Sequence, residues 1–330
     1  MNIEILSLNK LTLLYKNKIL LYSFIFLLGL LSSYGLPPYN FFYVNFFSYP
    51  VLLWILLFYS KDKVISFNIG WIFGFGYFIS NLYWITNSLT FEDIFKPLIP
   101  FALILVPLFL GLFYGLSTLF FSLANPKRNI LSIFLFTTSL SIFEYIRGLL
   151  FGGFPWNLIA FSFVNYLEFI QLLSITGTYA FNSLIILFFT LPTILLFNYK
   201  RNTKISIFIF LTLIIFINYF WGHLNLKNYE LIKKKDLGFT IKIISPKIDI
   251  NRYFQNENPK EFILELINIS DPVSSNETLF VFPEGILSNF YFEDLKKFKK
   301  IFFNNFSEKH TIILGMNIYE DQKIYNSLIV

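Results

Sequence analysis

A chain of 330 residues with a mean hydropathy of +0.61 and only 14% charged residues is too apolar to be a soluble globule from end to end. It has no cysteine and two histidines, His223 and His310, which excludes disulfides, thiolate metal sites and a cysteine nucleophile among these residues; no metal and no cofactor is expected. The net charge of +6 belongs to the first 226 residues, with 12 Lys+Arg against 6 Asp+Glu, while residues 227–330 hold 14 of each, so the excess speaks to membrane orientation and not to nucleic acid.

Runs of about 20 apolar residues predict seven membrane spans, at 19–36, 40–60, 64–86, 98–124, 129–150, 166–197 and 204–222. The first follows Lys10, Lys16 and Lys18 without a small-residue cleavage site and reads as an uncleaved anchor. Leu36-Pro37-Pro38-Tyr39-Asn40 reads as a turn, and Gly74-Phe75-Gly76 as a helix-packing spot within the third span. One set of loops carries Lys10, Lys16, Lys18, Lys61, Lys63, Lys127, Arg128, Lys200, Arg201 and Lys204. The other short loops carry only Lys96, beside Glu92 and Asp93. The positive-inside rule then puts the first set in the cytoplasm and residues 223–330 outside it.

The fifth span contains Glu144 and Arg147, three residues apart and so on one helix face. Ionisable groups at membrane depth are costly and are paired or functional. Two readings stand: the pair neutralises itself and locks helix packing near the outer interface, or it faces a substrate. Gly152-Gly153-Phe154-Pro155-Trp156 then breaks the helix and sets an aromatic at headgroup level.

After Trp221-Gly222 the pattern changes to short alternating elements: a strand over 239–244, an amphipathic helix over 260–269, a strand over 279–282, a helix over 290–303, and strands over 311–314 and 323–330. This β-α-β-α-β-β order predicts an α/β layered region of about 100 residues. Lys296, Lys297, Lys299 and Lys300 read as the wet side of its second helix. Leu279-Phe280-Val281-Phe282 reads as a strand buried on both faces. Pro283 cannot donate to a sheet ladder and ends it, leaving Glu284 at the carboxyl end beside the turn residue Gly285. A carboxylate there suits a general base in a half-buried pocket, or is a strand-end Glu that faces water. The sequence stops at Ser327-Leu328-Ile329-Val330 within an apolar strand, which reads as a fragment or truncated copy.

Several stretches resemble the bacterial apolipoprotein N-acyltransferases: Glu144-Tyr145-Ile146-Arg147-Gly148, Gly153-Phe154-Pro155-Trp156, Gly177 with Tyr179, and Tyr83-Trp84. Trp221 stands where that family has an aromatic before its soluble domain. Phe282-Pro283-Glu284 is similar to the nitrilase glutamate motif, and Tyr325-Asn326-Ser327 to the family's Tyr-Asn-Ser strand. The resemblance implies a multi-span α-helical membrane domain over 1–222, followed over 223–330 by an incomplete α/β nitrilase-like (α-β-β-α) domain. It implies acyl transfer through a cysteine thioester in a bacterial inner membrane, from a phospholipid to the N-terminal amine of a diacylated lipoprotein. Glu284 would be the catalytic base, and Trp221, Glu144 and Arg147 would bind substrate. The family's lysine and cysteine lie downstream of the Tyr-Asn-Ser strand, so these 330 residues are expected to be inactive alone. A non-catalytic lipid-binding scaffold and a membrane-anchored nitrilase-type amidase are the alternatives.

Overall fold

The computed structural model describes residues 17–231, 238–246, 258–287 and 291–330, and divides the chain into two compact units, 1–232 and 233–330. Each is taken by itself.

The first unit is all helical. Its longer helices are α1 (Lys18–Ser33), α2 (Asn45–Tyr59), α3 (Lys63–Asn81), α4 (Ile99–Leu123), α5 (Ile130–Arg147), α6 (Thr178–Thr190) and α7 (Arg201–Leu231). Every expected span therefore contains a helix. Among the described residues, five segments are long and apolar enough to cross a membrane: Phe42–Tyr59, Asp93–Leu123, Ile130–Arg147, Thr178–Leu196 and Arg201–Tyr229. α1 is shorter, at 16 residues, and α3 is diluted by Lys63, Asn68 and small polar residues.

Two expectations change. The segment 166–197 is not one helix: single turns at Leu167–Ile170 and Leu173–Thr176 end at Gly177, whose φ of +74° is left-handed and stops a helix, and α6 starts anew beyond it. The last helix does not end at Gly222 but runs to Leu231.

Small residues let the helices approach. A Cβ on Gly74 would meet Gly111 Cα at 2.8 Å and Tyr114 Cβ at 2.9 Å, so α3 and α4 touch backbone to backbone there. Gly76, on another side of α3, is pressed against the backbone of Phe26 in α1. The expected packing role of Gly74-Phe75-Gly76 holds, and it serves two neighbours at once. Tyr22–Asn68 and Ser33–Asn81 hydrogen bonds show α1 and α3 running parallel, while Trp71 Nε1 to Leu108 O (2.9 Å) and Thr118 Oγ1 to Ser66 O (2.8 Å) show α3 and α4 antiparallel.

The described residues of the first, basic loop set gather at one end of this bundle. Lys63 Nζ bonds to Ser122 O and, at 3.0 Å, to Asn125 Oδ1; the Arg128 guanidinium lies 4.0 Å from the Phe58 ring centre; Tyr199 OH accepts from Ile130 N at 3.0 Å. Lys10 and Lys16 lie outside the described residues.

The second unit is a four-stranded mixed sheet in the order β1-β2-β3-β4: β1 (Thr240–Ile243) and β2 (Thr278–Val281) are parallel, β2 and β3 (His310–Glu320) are parallel, and β4 (Lys323–Ile329) closes an antiparallel hairpin on β3. Asp321 and Gln322 both have positive φ, the geometry of a two-residue hairpin turn. α8 (Pro259–Ser270) links β1 to β2, with Asn258 Oδ1 accepting from Lys260 N at its start and Phe262, Ile263, Leu266 and Ile267 turned inward. Between β2 and β3 the expected single helix is broken into a turn at Phe292–Leu295, a tighter turn at Lys296–Phe298 and α9 (Lys299–Asn305); residue 290 lies outside the described residues. The four lysines of this stretch are exposed, as expected. β2 buries Thr278 and Phe280 fully and Leu279 and Val281 in part.

The glycine contact makes a direct prediction. Gly74→Leu forces a side chain into the α3–α4 crossing and is expected to cost about 1–3 kcal/mol or more. The thermal unfolding midpoint of detergent-solubilised protein, followed by tryptophan fluorescence, reads it. Leu131→Val, at a position facing out of the bundle, should leave the midpoint unchanged.

Candidate functional site

In the second unit, β2 ends at Val281 and the turn at 284–287 begins at once, with Gly285 at φ +66°. Phe282 N still donates to Ile313 O at 2.9 Å, so the chain is held to the sheet up to the residue before Pro283. Glu284 is thus fixed at the carboxyl end of the strand, as its flanking Pro and Gly imply. Its side chain is exposed and not half-buried. β3 passes close beneath it: a Cβ on Gly315 would meet Glu284 Cα at 2.8 Å. The neighbouring strand then supplies a partner, since Asn326 Nδ2 on β4 donates to Glu284 Oε1. Two motifs that stand 42 residues apart in the chain are joined by one hydrogen bond. The role of Asn326 was not anticipated; the Tyr325-Asn326-Ser327 resemblance marked the stretch but not the contact.

In the first unit, Glu144 and Arg147 are both buried, at 1% exposure each, near the end of α5. They do not pair: among the described residues no ion pair joins them. Glu144 Oε1 accepts from Tyr114 OH at 2.9 Å, and Oε2 accepts from Asn182 Nδ2. Asn182 Oδ1 in turn accepts from Ala160 N at 3.0 Å, so the carboxylate ties α4, α5 and α6 to the loop after α5. Arg147 Nη1 donates to Phe154 O and Trp156 O, each at 2.8 Å. Tyr77 OH donates to Asn157 O at 2.9 Å. Three carbonyls of the Phe154–Asn157 loop are therefore held by side chains of α3 and α5. A buried carbonyl without a partner is costly, and here the arginine supplies two.

Tyr179 of α6 packs against Gly148 and edge-on to the Tyr145 ring at 5.1 Å, which brings Glu144–Gly148, Gly153–Trp156 and Gly177/Tyr179 into one assembly. Tyr83 and Trp84 are exposed at the start of a tight helical turn. Trp221 is part-buried on α7, and among the described residues no recorded hydrogen bond or ring contact links it to Glu144 or Arg147. Tyr114 and Asn182 went unnoticed in the sequence. Their only signal was a polar group in an apolar run.

The two bonds to Glu144 predict coupling. Tyr114→Phe leaves a buried carboxylate oxygen without its donor, at a cost of about 1–3 kcal/mol. Because Glu144→Gln weakens the same bond, the double variant should lose less than the sum of the singles in thermal unfolding. Additive losses would remove the coupling.

Comparison with known proteins gives a consistent picture. Residues 28–191 match the family described as Apolipoprotein N-acyltransferase N-terminal domain. The apolipoprotein N-acyltransferase of Brucella melitensis is 27% identical over 257 residues, covering 74% of this chain and 47% of that protein. The same-named protein of Allorhizobium ampelinum is 30% identical over 232 residues, covering 67% of this chain and 42% of its own length. That of Rhizobium meliloti is 33% identical over 184 residues, covering 52% and 34%. The chain spans about half the length, or less, of these curated relatives. The matched stretch contains Glu144, Arg147, the loop they hold and both donors to Glu144, and by that domain the chain belongs to the apolipoprotein N-acyltransferase family.

Proposed function

We propose that these residues supply the membrane unit and the base-bearing part of an apolipoprotein N-acyltransferase. The reaction moves a fatty acyl chain from a phospholipid to the N-terminal amine of a diacylglyceryl-cysteine lipoprotein. The observation that carries the reading is Glu284, fixed at a strand end by a turn on one side and by Asn326 on the other, in a chain that also carries the family's membrane domain. The second unit is on this reading the beginning of a nitrilase-like α-β-β-α domain, to which its parallel β-α-β crossovers lend support.

The chemistry follows in two halves. The Glu284 carboxylate takes the proton of a cysteine thiol, and the thiolate attacks the ester carbonyl of the phospholipid. The lysophospholipid alcohol leaves with that proton, and a thioester remains. The lipoprotein's α-amine then attacks the thioester, the amide forms, and the thiol is regenerated. Asn326 holds the carboxylate without touching a reacting atom. The sequence contains no cysteine, so the thiol comes from residues other than these 330, and the resemblance to the family places the cationic group for the oxyanion with it. The missing thiol also favours a second reading, a lipid-binding scaffold that keeps the fold without the chemistry.

A chimera of residues 1–330 joined to the unmatched remainder of the Brucella melitensis relative separates the two. Given a radiolabelled phospholipid, it should form a hydroxylamine-sensitive acyl-enzyme and acylate a diacylated lipopeptide. Glu284→Gln should lower transfer by about 10²–10⁴-fold, and Asn326→Ala by about tenfold, the worth of one hydrogen bond. Full activity with Glu284→Gln would refute the base assignment; an inert chimera would favour the scaffold.

The membrane unit on this reading crosses the bilayer seven times with its basic end in the cytoplasm, which puts the second unit on the periplasmic side. Alkaline phosphatase fused after Val330 should be active, and fused within the Asn125–Arg128 loop inactive. The reverse pattern would overturn the orientation.

A further inference from the structure

α3 and α4 run antiparallel from a common level. Lys63, the first residue of α3, bonds to Ser122 O and Asn125 Oδ1 at the end of α4. The Ser66–Thr118 and Gly74–Gly111 contacts keep the two helices in step above it. They are not equally long. At 1.5 Å per residue, the 19 residues of α3 reach about 28 Å and the 25 of α4 about 37 Å. A hydrocarbon core is ~30 Å thick, and each headgroup layer adds roughly 5–7 Å. With the basic end at one edge of the core, α3 stops at the opposite edge and α4 overshoots it into the headgroup layer. The chain between those two ends, Tyr83–Leu98, therefore starts and finishes at the height of that layer.

The segment is built for such a place. It consists of two tight helical stretches, Tyr83–Thr90 and Asp93–Leu98, in which only Thr86 is fully buried, with Ile85 and Leu89 buried in part. Trp84, Phe91, Ile94, Phe95 and Leu98 are exposed, Ile94 at 76%. Its polar groups are satisfied close at hand. Thr86 Oγ1 donates to Tyr83 O, Ser88 Oγ to Ile85 O and Thr90 Oγ1 to Asn87 O, each at 2.7 Å, and Lys96 pairs with Asp93 at 2.6 Å. Carbonyls that find donors locally need little water. In a helix of three residues per turn, positions three apart share a side. Asp93 and Lys96 then form one side of the second stretch, while Ile94 with Pro97 and Phe95 with Leu98 form the other two. One charged side and two apolar ones suit a helix lying in the plane of an interface, the depth that Trp and Tyr also favour. The apolar surface continues into Phe101, Ile104 and Leu105 of α4, exposed where a bilayer would touch the bundle.

We propose that Tyr83–Leu98 is an interfacial segment that lies along the headgroup layer at the end of the bundle away from the basic loops. Trp84, Phe91, Ile94, Phe95 and Leu98 sit at the boundary with the acyl chains, and Glu92, Asp93 and Lys96 in the headgroup water. Its partner is the lipid surface as a whole and no single lipid. The segment fixes the depth of a bundle whose members differ in length: α1, at about 24 Å, and α3 are too short to set it, and α4 is too long. The inference rests on the membrane unit crossing a bilayer, and neither on acyl transfer nor on which side the basic end faces. Its failure leaves those readings standing, and theirs leaves it.

The chain has no cysteine, so each single-cysteine variant carries one thiol. The full 330-residue chain with Ile94→Cys, Leu98→Cys, Leu116→Cys or Ser274→Cys is labelled with a nitroxide and placed in phosphatidylcholine vesicles. All four positions are exposed, so the labels displace no packed side chain. Leu116, towards the middle of α4, is the reference for the hydrocarbon core, and Ser274 of the second unit is the reference for water. Spin relaxation by oxygen, which gathers in lipid, and by a neutral nickel chelate, which stays in water, reads the depth of each label. The Ile94 and Leu98 labels are expected to meet the chelate several-fold less than the Ser274 label and several-fold more than the Leu116 label. Either of the two positions suffices if the other variant is lost. Relaxation equal to that at Ser274 overturns the proposal. Depth equal to that at Leu116 does so too, since the segment would then belong to a span. Shielding from both reagents would also overturn it, because protein, a second copy of the chain included, would then cover the segment.

Discussion

A carboxylate and a guanidinium one helical turn apart, both shut off from water in an apolar bundle, set the terms for the end of the membrane unit around them. Neither is tolerable there without partners. Glu144 gathers Tyr114 from α4 and Asn182 from α6, and Asn182 reaches on to the backbone of Ala160. Arg147, as the last residue of α5, lies beside the carbonyls that follow a helix end, where a cation is favoured, and bonds two of them. The result is a loop whose shape is dictated by charge and not by its own propensities. Phe151, Gly152 and Gly153 take left-handed backbone in succession so that the chain can turn back toward the arginine. Gly148 stays small because the hydroxyl of Tyr179 occupies the space a Cβ would need.

The second unit solves a different problem by similar means. A carboxylate on a surface turn would sample many orientations. Here the backbone beneath Glu284 is pinned by the end of β2 and by the close passage of Gly315, and its side chain is caught by Asn326 from the hairpin strand. The fourth strand, added antiparallel to three parallel ones, brings Asn326 to the carboxyl end of the sheet beside Glu284.

Much of this was legible in the sequence, for reasons that are physical. Hydropathy marked the helices of the first unit, five of which among the described residues lie in segments long and apolar enough to cross a bilayer, and Pro283 with Gly285 marked the strand end because one lacks a donor and the other tolerates positive φ. The β-α-β-α-β-β order followed from alternating patterns. What the sequence withheld was contact between distant residues. The spacing of Glu144 and Arg147 suggested a pair, yet each found better-placed partners 7 to 38 residues away. Tyr114, Asn182 and Asn326 become visible only when the helices and strands are packed. The break at Gly177 was hidden because an isolated glycine in an apolar run reads the same whether it sits inside a helix or ends one.

The gathering of Lys18, Lys61, Lys63, Lys127, Arg128, Lys200, Arg201 and Lys204 at one end of the bundle has an electrical consequence. In an energised membrane, one elementary charge carried across the full potential changes energy by about 2.3 kcal/mol per 100 mV. Turning the bundle over would carry this whole group through the field, with only Asp62 among them to offset it. On the proposed orientation, the voltage of a living cell acts on the protein as a restoring force, drawing the basic end toward the negative face for as long as the membrane stays polarised.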